Sequence, residues 1–140
     1  MVALCATVGF LISCATKGSE MAFLNVQANP IRGMLSIDGT DGGKWSLFLG
    51  NCFLCEFSCR TVAVTEMIYV GNNVGKKGDL QFLVDKRIKV LLIEAGAASA
   101  FGDTDCAIEL FNTIAELSRL FALAMQRYKD AVAAQGVANV

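Results

Sequence analysis

The sequence contains no histidine. This absence removes the commonest general base of enzymes and the commonest protein ligand of transition metals, and it leaves no Ser/His/Asp or Cys/His catalytic arrangement. Charged residues are also few, at 18% of the chain, with a formal net charge of -1. Because binding to phosphates needs a clustered positive excess, no nucleic-acid partner is expected. No apolar run reaches about 18 residues, so the sequence predicts no transmembrane helix.

Apolar residues are abundant instead. They make up 54% of the 140 residues, and the mean hydropathy is +0.51, which is high for a soluble monomer. The length favours a single domain over residues 1–140. A second subunit that covers apolar surface is the simplest explanation of the composition, so we expect a homo-oligomer, with a different protein as a further possible partner.

Six cysteines do not indicate a secreted disulfide framework here, because most of them lie inside apolar segments where a free thiol packs as a small hydrophobe. We therefore predict an intracellular, reducing (cytoplasmic) compartment. Residues 1–14 leave two alternatives. Leu11-Ile12-Ser13-Cys14 is similar to a lipoprotein signal, but no Lys or Arg precedes the apolar run. Alternation of larger and smaller residues favours a buried strand.

Residues 2–95 read as a series of strands. Alternation, β-branched residues and turn signals predict strands over 2–15, 21–28, 34–38, 45–49, 52–70, 80–84 and 88–95. The turn sequence in residues 38–43 predicts a hairpin over 34–49. No crossover helix is predicted before residue 103, so the sheet should be antiparallel.

Residues 104–135 form the one long segment with helical periodicity. Asp103 or Thr104 can cap it, and Gly136 is a plausible stop. Its wide apolar stripe consists of Ala107, Ile108, Phe111, Ile114, Ala115, Leu117, Phe121, Met125, Tyr128 and Val132. The sequence thus predicts an α+β fold in which an antiparallel sheet of six to eight strands, over residues 2–95, rolls into a partly open barrel closed by the helix at 104–135. This order of elements is similar to the pleckstrin-homology type of roll.

Two sequence patterns raise the question of a bound ligand. The spacing of Cys52, Cys55 and Cys59 allows a thiolate metal site, but the apolar surroundings and the alternation of strand side chains favour core packing. The loop over residues 71–77 has the composition of a phosphate loop. It lacks the Walker A spacing and is predicted to precede a strand, so a hairpin loop is favoured. Asp103 and Asp105 are explained by helix capping. We predict no cofactor and no metal.

Two surfaces are candidates for binding. A possible basic patch that could meet acidic lipid or an acidic protein consists of Lys76, Lys77, Lys86, Arg87 and Lys89. On a helical wheel, Leu120 and Leu123 fall within the polar side of the last helix. The predicted partner-binding surface there consists of Leu120, Leu123, Met125, Arg127 and Tyr128.

The functional hypotheses follow from these surfaces. A non-enzymatic protein-interaction or scaffold domain, acting through its C-terminal helix and apolar surface, ranks first. A self-assembling structural subunit such as a shell, coat or filament protein is the alternative. A thiol-dependent enzyme is a distant third.

Overall fold

A computed structural model describes residue 31 and residues 33–74 and 80–138, with side chains described as far as residue 134. Within these residues the order of elements is three strands followed by three helices. The strands are β1 (Leu35–Gly39), β2 (Trp45–Leu49) and β3 (Cys52–Phe57); the helices are α1 (Arg60–Asn72), α2 (Leu80–Ala100) and α3 (Thr104–Ala138). The strands predicted over 2–15 and 21–28 lie outside the described residues.

Strands β1 and β2 form the predicted hairpin. They pair antiparallel, with Leu35 opposite Leu49 and Gly39 opposite Trp45. The Thr40 N–H donates to the Lys44 carbonyl at 2.8 Å, which closes the connection. Gly43 has a φ of +80°, a conformation that side chains disfavour. The glycine-rich turn sequence and the strand positions are therefore confirmed.

Strand β3 completes a meander of order β1-β2-β3. Only Gly50 and Asn51 connect it to β2, and Gly50 has a φ of +59°, as the first residue of a type II′ turn requires. The register shifts between Leu47 and Phe48, which leaves one extra residue in β3 and forms a bulge. The bulge resets the alternation of side chains along β3.

Residues 61–70, which the sequence predicts to be part of a strand, lie in helix α1. Its β-branched residues favour extended structure locally, yet Val64, Met67, Ile68 and Gly71 recur at helical spacing and are buried. The helix packs on all three strands. Burial of this face therefore overrides the local preference.

Helix α2 contains both strands predicted over 80–84 and 88–95. Its most buried side chains, Leu80, Val84, Leu91 and Ala95, recur at intervals of four and seven residues. The opposite side of the helix also carries apolar residues. In the sequence, apolar residues from both sides hide the helical period and give the alternating pattern of a strand. Residues 85–87 between the two predicted strands, and residues 96–100 after them, are helical as well.

A tight turn joins α2 to α3 as an antiparallel hairpin. The Gly102 N–H donates to the Ser99 carbonyl, and the Asp103 N–H donates to the Ala98 carbonyl at 2.8 Å. With the φ of Gly102 at +81°, this is a Schellman termination. Asp103 then caps α3, because its Oδ1 accepts a hydrogen bond from the Cys106 N–H at 3.1 Å. The predicted cap is confirmed, whereas the stop predicted at Gly136 is wrong because α3 continues to Ala138.

One buried cluster joins the sheet to the three helices. It includes Leu47 and Leu49 from β2, Met67 from α1, Leu91 from α2 and Leu117 from α3. The fold is α+β as predicted, but the barrel of six to eight strands is wrong. The described residues form one open, three-stranded sheet and are mostly helical, so the likeness to a pleckstrin-homology roll is wrong too. The long C-terminal helix is confirmed, although it packs beside α2 rather than plugging a barrel.

Candidate functional site

Helix α3 carries two parallel stripes of residues, each with alternating three- and four-residue spacing. The inner stripe consists of Ala107, Leu110, Ile114, Leu117, Phe121, Ala124, Tyr128 and Ala131. The outer stripe starts one residue later and consists of Ile108, Phe111, Ala115, Ser118, Ala122, Met125, Lys129 and Val132. Every residue of the inner stripe is buried or half-buried, and every residue of the outer stripe is exposed. Such spacing keeps one line of side chains on one face of a helix, as in coiled coils.

The outer stripe presents an apolar surface with small residues at its centre. Ile108 is 53% exposed and Phe111 is 49% exposed. Ala115, Ser118 and Ala122 between the large residues allow a second helix to approach closely, and Lys129 is the stripe's only charged residue. An open cavity of about 600 Å³ lies along its C-terminal half, lined by Ala122, Met125, Gln126, Tyr128, Lys129 and Val132.

The predicted partner surface is only partly exposed. Leu120 is 8% exposed and belongs to the core, and its Cδ1 lies 2.8 Å from where a Cβ at Gly50 would be. Leu120 therefore packs against the β2–β3 turn of its own chain and is not available for contact with a partner. Leu123, Met125 and Arg127 are exposed, and Tyr128 is half-buried. Partner binding by these four residues stays a prediction.

Charge is segregated along α3. Asp105, Glu109 and Glu116 give residues 104–116 a net charge of -3. Residues 117–134 have a net charge of +2, because their charged residues are Arg119, Arg127, Lys129 and Asp130. Glu116 and Arg119 pair with each other, the guanidinium donating to both carboxylate oxygens at 2.8 and 2.7 Å. These hydrogen bonds lower the pKa of Glu116 and raise the pKa of Arg119.

The predicted basic patch divides into three parts. Lys76 and Lys77 lie outside the described residues, and Lys86 and Lys89 are exposed on α2. Arg87 is half-buried with its guanidinium carbon 4.9 Å from the centre of the Phe53 ring. Its Nε is buried without a hydrogen-bond partner. Arg87 thus packs on the sheet, and acidic-partner binding by the two lysines stays a prediction.

The cysteines of β3 lie on the same face of the sheet, contrary to the alternation expected from sequence. Cys52 pairs with Leu49 and Cys55 pairs with Leu47; because Leu47 and Leu49 share a face, the bulge brings both thiols onto it. Burial raises the pKa of Cys52, and the negative charge of Glu116 raises it further. Burial, with a smaller effect of Glu66, raises the pKa of Cys55 to about 11. Both groups are therefore protonated thiols at neutral pH, a state with low nucleophilicity.

The third cysteine of the motif differs from its prediction. Cys59 is half-buried and disulfide-bonded, so the expectation of a reduced thiol at this position is wrong. Cys52, Cys55 and Cys106 are free thiols. Among residues 31, 33–74 and 80–138, no group of three or more Cys, Asp or Glu side chains could hold a metal ion. The predicted absence of metal and the compartment both stay predictions.

The loop resembling a phosphate loop does not gain support as a site. Gly71 and Asn72 are the last residues of α1, and residues 75–79 lie outside the described residues. The Asn73 side-chain amide donates to the Tyr69 carbonyl at 2.7 Å, so this side chain terminates the helix. Asp105 lies in the first turn of α3, next to the cap formed by Asp103.

In the portion of the chain that the structure describes, no helix is both long enough and apolar enough to span a membrane. Comparison with protein-family models, with curated proteins and with solved structures finds no match for this chain.

The sequence alone does not distinguish the outer stripe, because the apolar residues of both stripes form one wide apolar face on a helical wheel. The wide apolar stripe that the sequence predicts includes Ile108, Phe111 and Val132, yet all three are exposed. Separating the two heptad lines, offset by one residue, is the signal that could have distinguished them. A single wide face needs one broad surface to cover it, whereas two adjacent heptad lines can each bind a different helix.

Proposed function

We propose that this chain is a non-enzymatic protein-interaction domain that associates with a second copy of itself through the outer stripe of α3. The observation that carries the proposal is the unbroken exposure of eight residues at coiled-coil spacing, directly beside a line of the same spacing that is already packed. In water, burial of apolar surface drives helix association at about 25 cal/mol per Å². The high apolar content of the chain supports the same conclusion.

A second copy fits this surface better than nucleic acid or lipid. Nucleic acid needs a positively charged surface, whereas the outer stripe has a single charged residue, Lys129. Anionic lipid headgroups are attracted by clusters of basic residues, and one lysine is no such cluster. A helix with the same spacing and the same small central residues complements the stripe, and the chain itself supplies such a helix.

The size of the stripe supports a reversible dimer. From Ile108 to Val132 the helix extends about 36 Å, at 1.5 Å per residue. With a width of about 10–12 Å, its footprint is roughly 400 Å² per copy, below the roughly 800 Å² per partner of a standard stable interface. We therefore expect dissociation in about the micromolar range rather than an obligate dimer.

The test is a single charge placed at the centre of the stripe. Ala122→Glu should abolish self-association in sedimentation velocity, because an unpaired carboxylate is then desolvated at a helix–helix contact. Ala134→Glu is the matched control, with the same substitution on an exposed, off-stripe position of the same helix. Equal melting temperatures for both variants establish that the fold is retained. Association of Ala122→Glu at the wild-type level would refute the proposal.

A self-assembling structural subunit is the second candidate, favoured by a separate apolar surface. Phe82 and Ile93 are exposed on α2, on the opposite side of that helix from Leu91 and Val84, respectively. A chain with two self-associating surfaces can form filaments or shells, whereas one two-fold contact closes at the dimer. Particles much larger than a dimer in wild type, reduced to dimers by Ile93→Glu, would support the subunit. Assembly that never exceeds the dimer, at any concentration, supports the interaction domain.

A thiol-dependent enzyme has the least support. The raised pKa values of Cys52 and Cys55 keep both thiols protonated, and Cys59 is disulfide-bonded. Alkylation of these positions at neutral pH should therefore be slow in the folded protein.

A further inference from the structure

We infer that the surface that binds the second copy extends from the outer stripe onto α2, where Leu92 and Gly96 lie across a groove from Phe111 of α3. The inference rests on the self-association proposed above and adds a second helix to the contact. Three observations carry it: the position of Leu92 beside the stripe, the polar character of the other flank of the stripe, and a glycine in α2 that its own chain does not require.

Leu92 lies beside the N-terminal half of the outer stripe. Helices α2 and α3 pack together, and the chain reverses direction between them at residues 101–102. Leu92 and Phe111 are equally far from this reversal, so they lie at the same height along the two helices. On a helical wheel Leu92 is about 60° from the buried Ala95 and about 140° from Arg87, which packs on the sheet. Leu92 therefore borders α3 on the side away from the sheet, where it is 46% exposed.

The outer stripe faces the same way. Ala122 is two residues, or about 200° around the helix, from Leu120, which packs on the β2–β3 turn. The stripe is therefore directed away from the sheet, as Leu92 is. Ile108 and Phe111 are about half-exposed, so together with Leu92 they line a groove between two packed helices at the end of the hairpin where the chain reverses.

The other flank of the outer stripe is polar. It is a line of exposed residues at seven-residue spacing that consists of Asp105, Asn112, Arg119 and Gln126. Arg119 donates two hydrogen bonds to Glu116. Gln126 donates one to Asp130 at 2.9 Å. These groups would lose water at an apolar contact without gaining new partners, which costs free energy. The apolar surface therefore widens toward α2 and not toward this flank.

Gly96 is a glycine in the interior of α2 that its own chain does not require. Apart from proline, glycine is the least favourable residue in a helix. No atom of the described residues lies within 4 Å of the place where its Cβ would be, and its φ is not positive. Neither a close contact within the chain nor the backbone conformation explains the glycine. It lies one turn after Leu92 on the same side of α2, where it leaves room for the backbone of a partner helix.

The groove also supplies contact area that the stripe lacks. A helix that lies between two helices contacts both of them, at interaxial distances of about 8–10 Å. Residues 92–100 of α2 span about 12 Å and raise the footprint to roughly 500 Å² per copy, nearer to the roughly 800 Å² of a standard stable interface. The outer stripe of a second copy fits the groove, because it is an apolar helix face with Lys129 as its only charge.

Gly96→Ala tests the groove on the full chain, because it should change folding and association in opposite directions. Alanine favours the helix, so the melting temperature of the monomer, measured well below the Kd, should rise by about 2–5 °C. The added methyl group obstructs the partner helix, so the Kd measured by sedimentation should rise about tenfold. A higher melting temperature with an unchanged or lower Kd would overturn the inference. A lower melting temperature would also overturn it, because the chain's own fold would then require the glycine.

A charge placed in the groove is the second test. Leu92→Glu should raise the Kd about tenfold, because its carboxylate loses water against the partner. Ala97→Glu is the matched control, since Ala97 is exposed on the same helix and lies about 200° from the buried Ala95, on the side away from α3. This control should associate like wild type. Equal Kd values for the two variants would contradict an extension of the contact onto α2.

These measurements separate the groove from the self-association on which it rests. If wild type dimerises and Ala122→Glu does not, while Leu92→Glu and Gly96→Ala dimerise like wild type, the contact is confined to the outer stripe and the inference is wrong. A wild type that stays monomeric would overturn both proposals.

Discussion

Substitution of Gly50 by alanine tests how α3 packs on the sheet. Gly50 has a φ of +59°, which costs a residue with a Cβ about 1–2 kcal/mol. The added Cβ would also lie 2.8 Å from Leu120 Cδ1 and 3.2 Å from Leu120 Cδ2. Leu120 is buried and can yield only by disturbing its neighbours, an overpacking that costs typically 1–3 kcal/mol. Gly50→Ala should therefore reduce the free energy of unfolding by about 2–4 kcal/mol, a large fraction of a domain's stability.

Two other glycines separate the backbone strain from the clash. Gly43 has a φ of +80° with no atom within 4 Å of its added Cβ, so Gly43→Ala should cost only the strain, about 1–2 kcal/mol. Gly42 has neither a positive φ nor a close neighbour, and Gly42→Ala should change stability by less than about 0.5 kcal/mol. Urea denaturation with a constant slope gives all three values.

A double-mutant cycle then isolates the contact with Leu120. Leu120→Ala alone should cost about 2–5 kcal/mol because it leaves a cavity in the core. In that background Gly50→Ala loses its clash, so the two substitutions together should cost about 1–3 kcal/mol less than their sum. Strict additivity, or a cost of Gly50→Ala no greater than that of Gly43→Ala, would mean that α3 does not pack on the β2–β3 turn.

Three further outcomes follow from single side chains. Asp103→Ala should lower stability by about 1 kcal/mol in urea denaturation, because the Cys106 N–H loses its cap; no change would mean that α3 is capped otherwise. Arg87→Met should leave stability equal or higher while Arg87→Ala lowers it, since Met can still pack on the Phe53 ring under the guanidinium and removes a buried Nε that has no hydrogen-bond partner; equal losses in both would refute this. The pKa of Cys55 is raised to about 11, above about 8.5 for an ordinary thiol, because the folded protein favours the protonated thiol. The stabilisation from this thiol is therefore complete below about pH 8.5 and is lost as the pH rises toward 11. The urea midpoint of Cys55→Ala should therefore fall less than that of wild type between those pH values, and parallel pH profiles would contradict the assignment.

The elements that the sequence predicts correctly are those with a local signal. The turn over residues 38–43 contains the glycines that its backbone needs, and α3 combines a cap at Asp103 with a long helical period. Helices α1 and α2 lack such a signal. In α1 the β-branched residues favour strand, and in α2 apolar residues occur on both the packed and the exposed side. Only their packing against the sheet and α3 decides between helix and strand.

Leu120 shows why the candidate surface could be predicted only in part. On a wheel of about 100° per residue it falls among polar side chains, so the sequence places it in water. Helix α3, however, packs against both α2 and the sheet, and two neighbours bury a wider sector than one. That wider sector includes Leu120. Met125, at the edge of the predicted surface, remains exposed and belongs to the outer stripe.

The bulge in β3 is a further feature without a sequence signal. Strict alternation places Cys52 and Cys55 on opposite faces, but the extra residue between them brings both onto one face. Nothing in residues 52–57 distinguishes a regular strand from a bulged one. The bulge is determined by the register in which β3 pairs with β2.

Sedimentation equilibrium on the full wild-type chain tests the central claim most directly. The account predicts an average mass that rises from 14.9 kDa toward twice that value as the concentration passes through about the micromolar range. Under the same conditions Ala122→Glu should stay at the monomer mass and Ala134→Glu should follow wild type. A wild-type mass that stays at that of the monomer at every concentration would contradict the claim that the outer stripe of α3 binds a second copy.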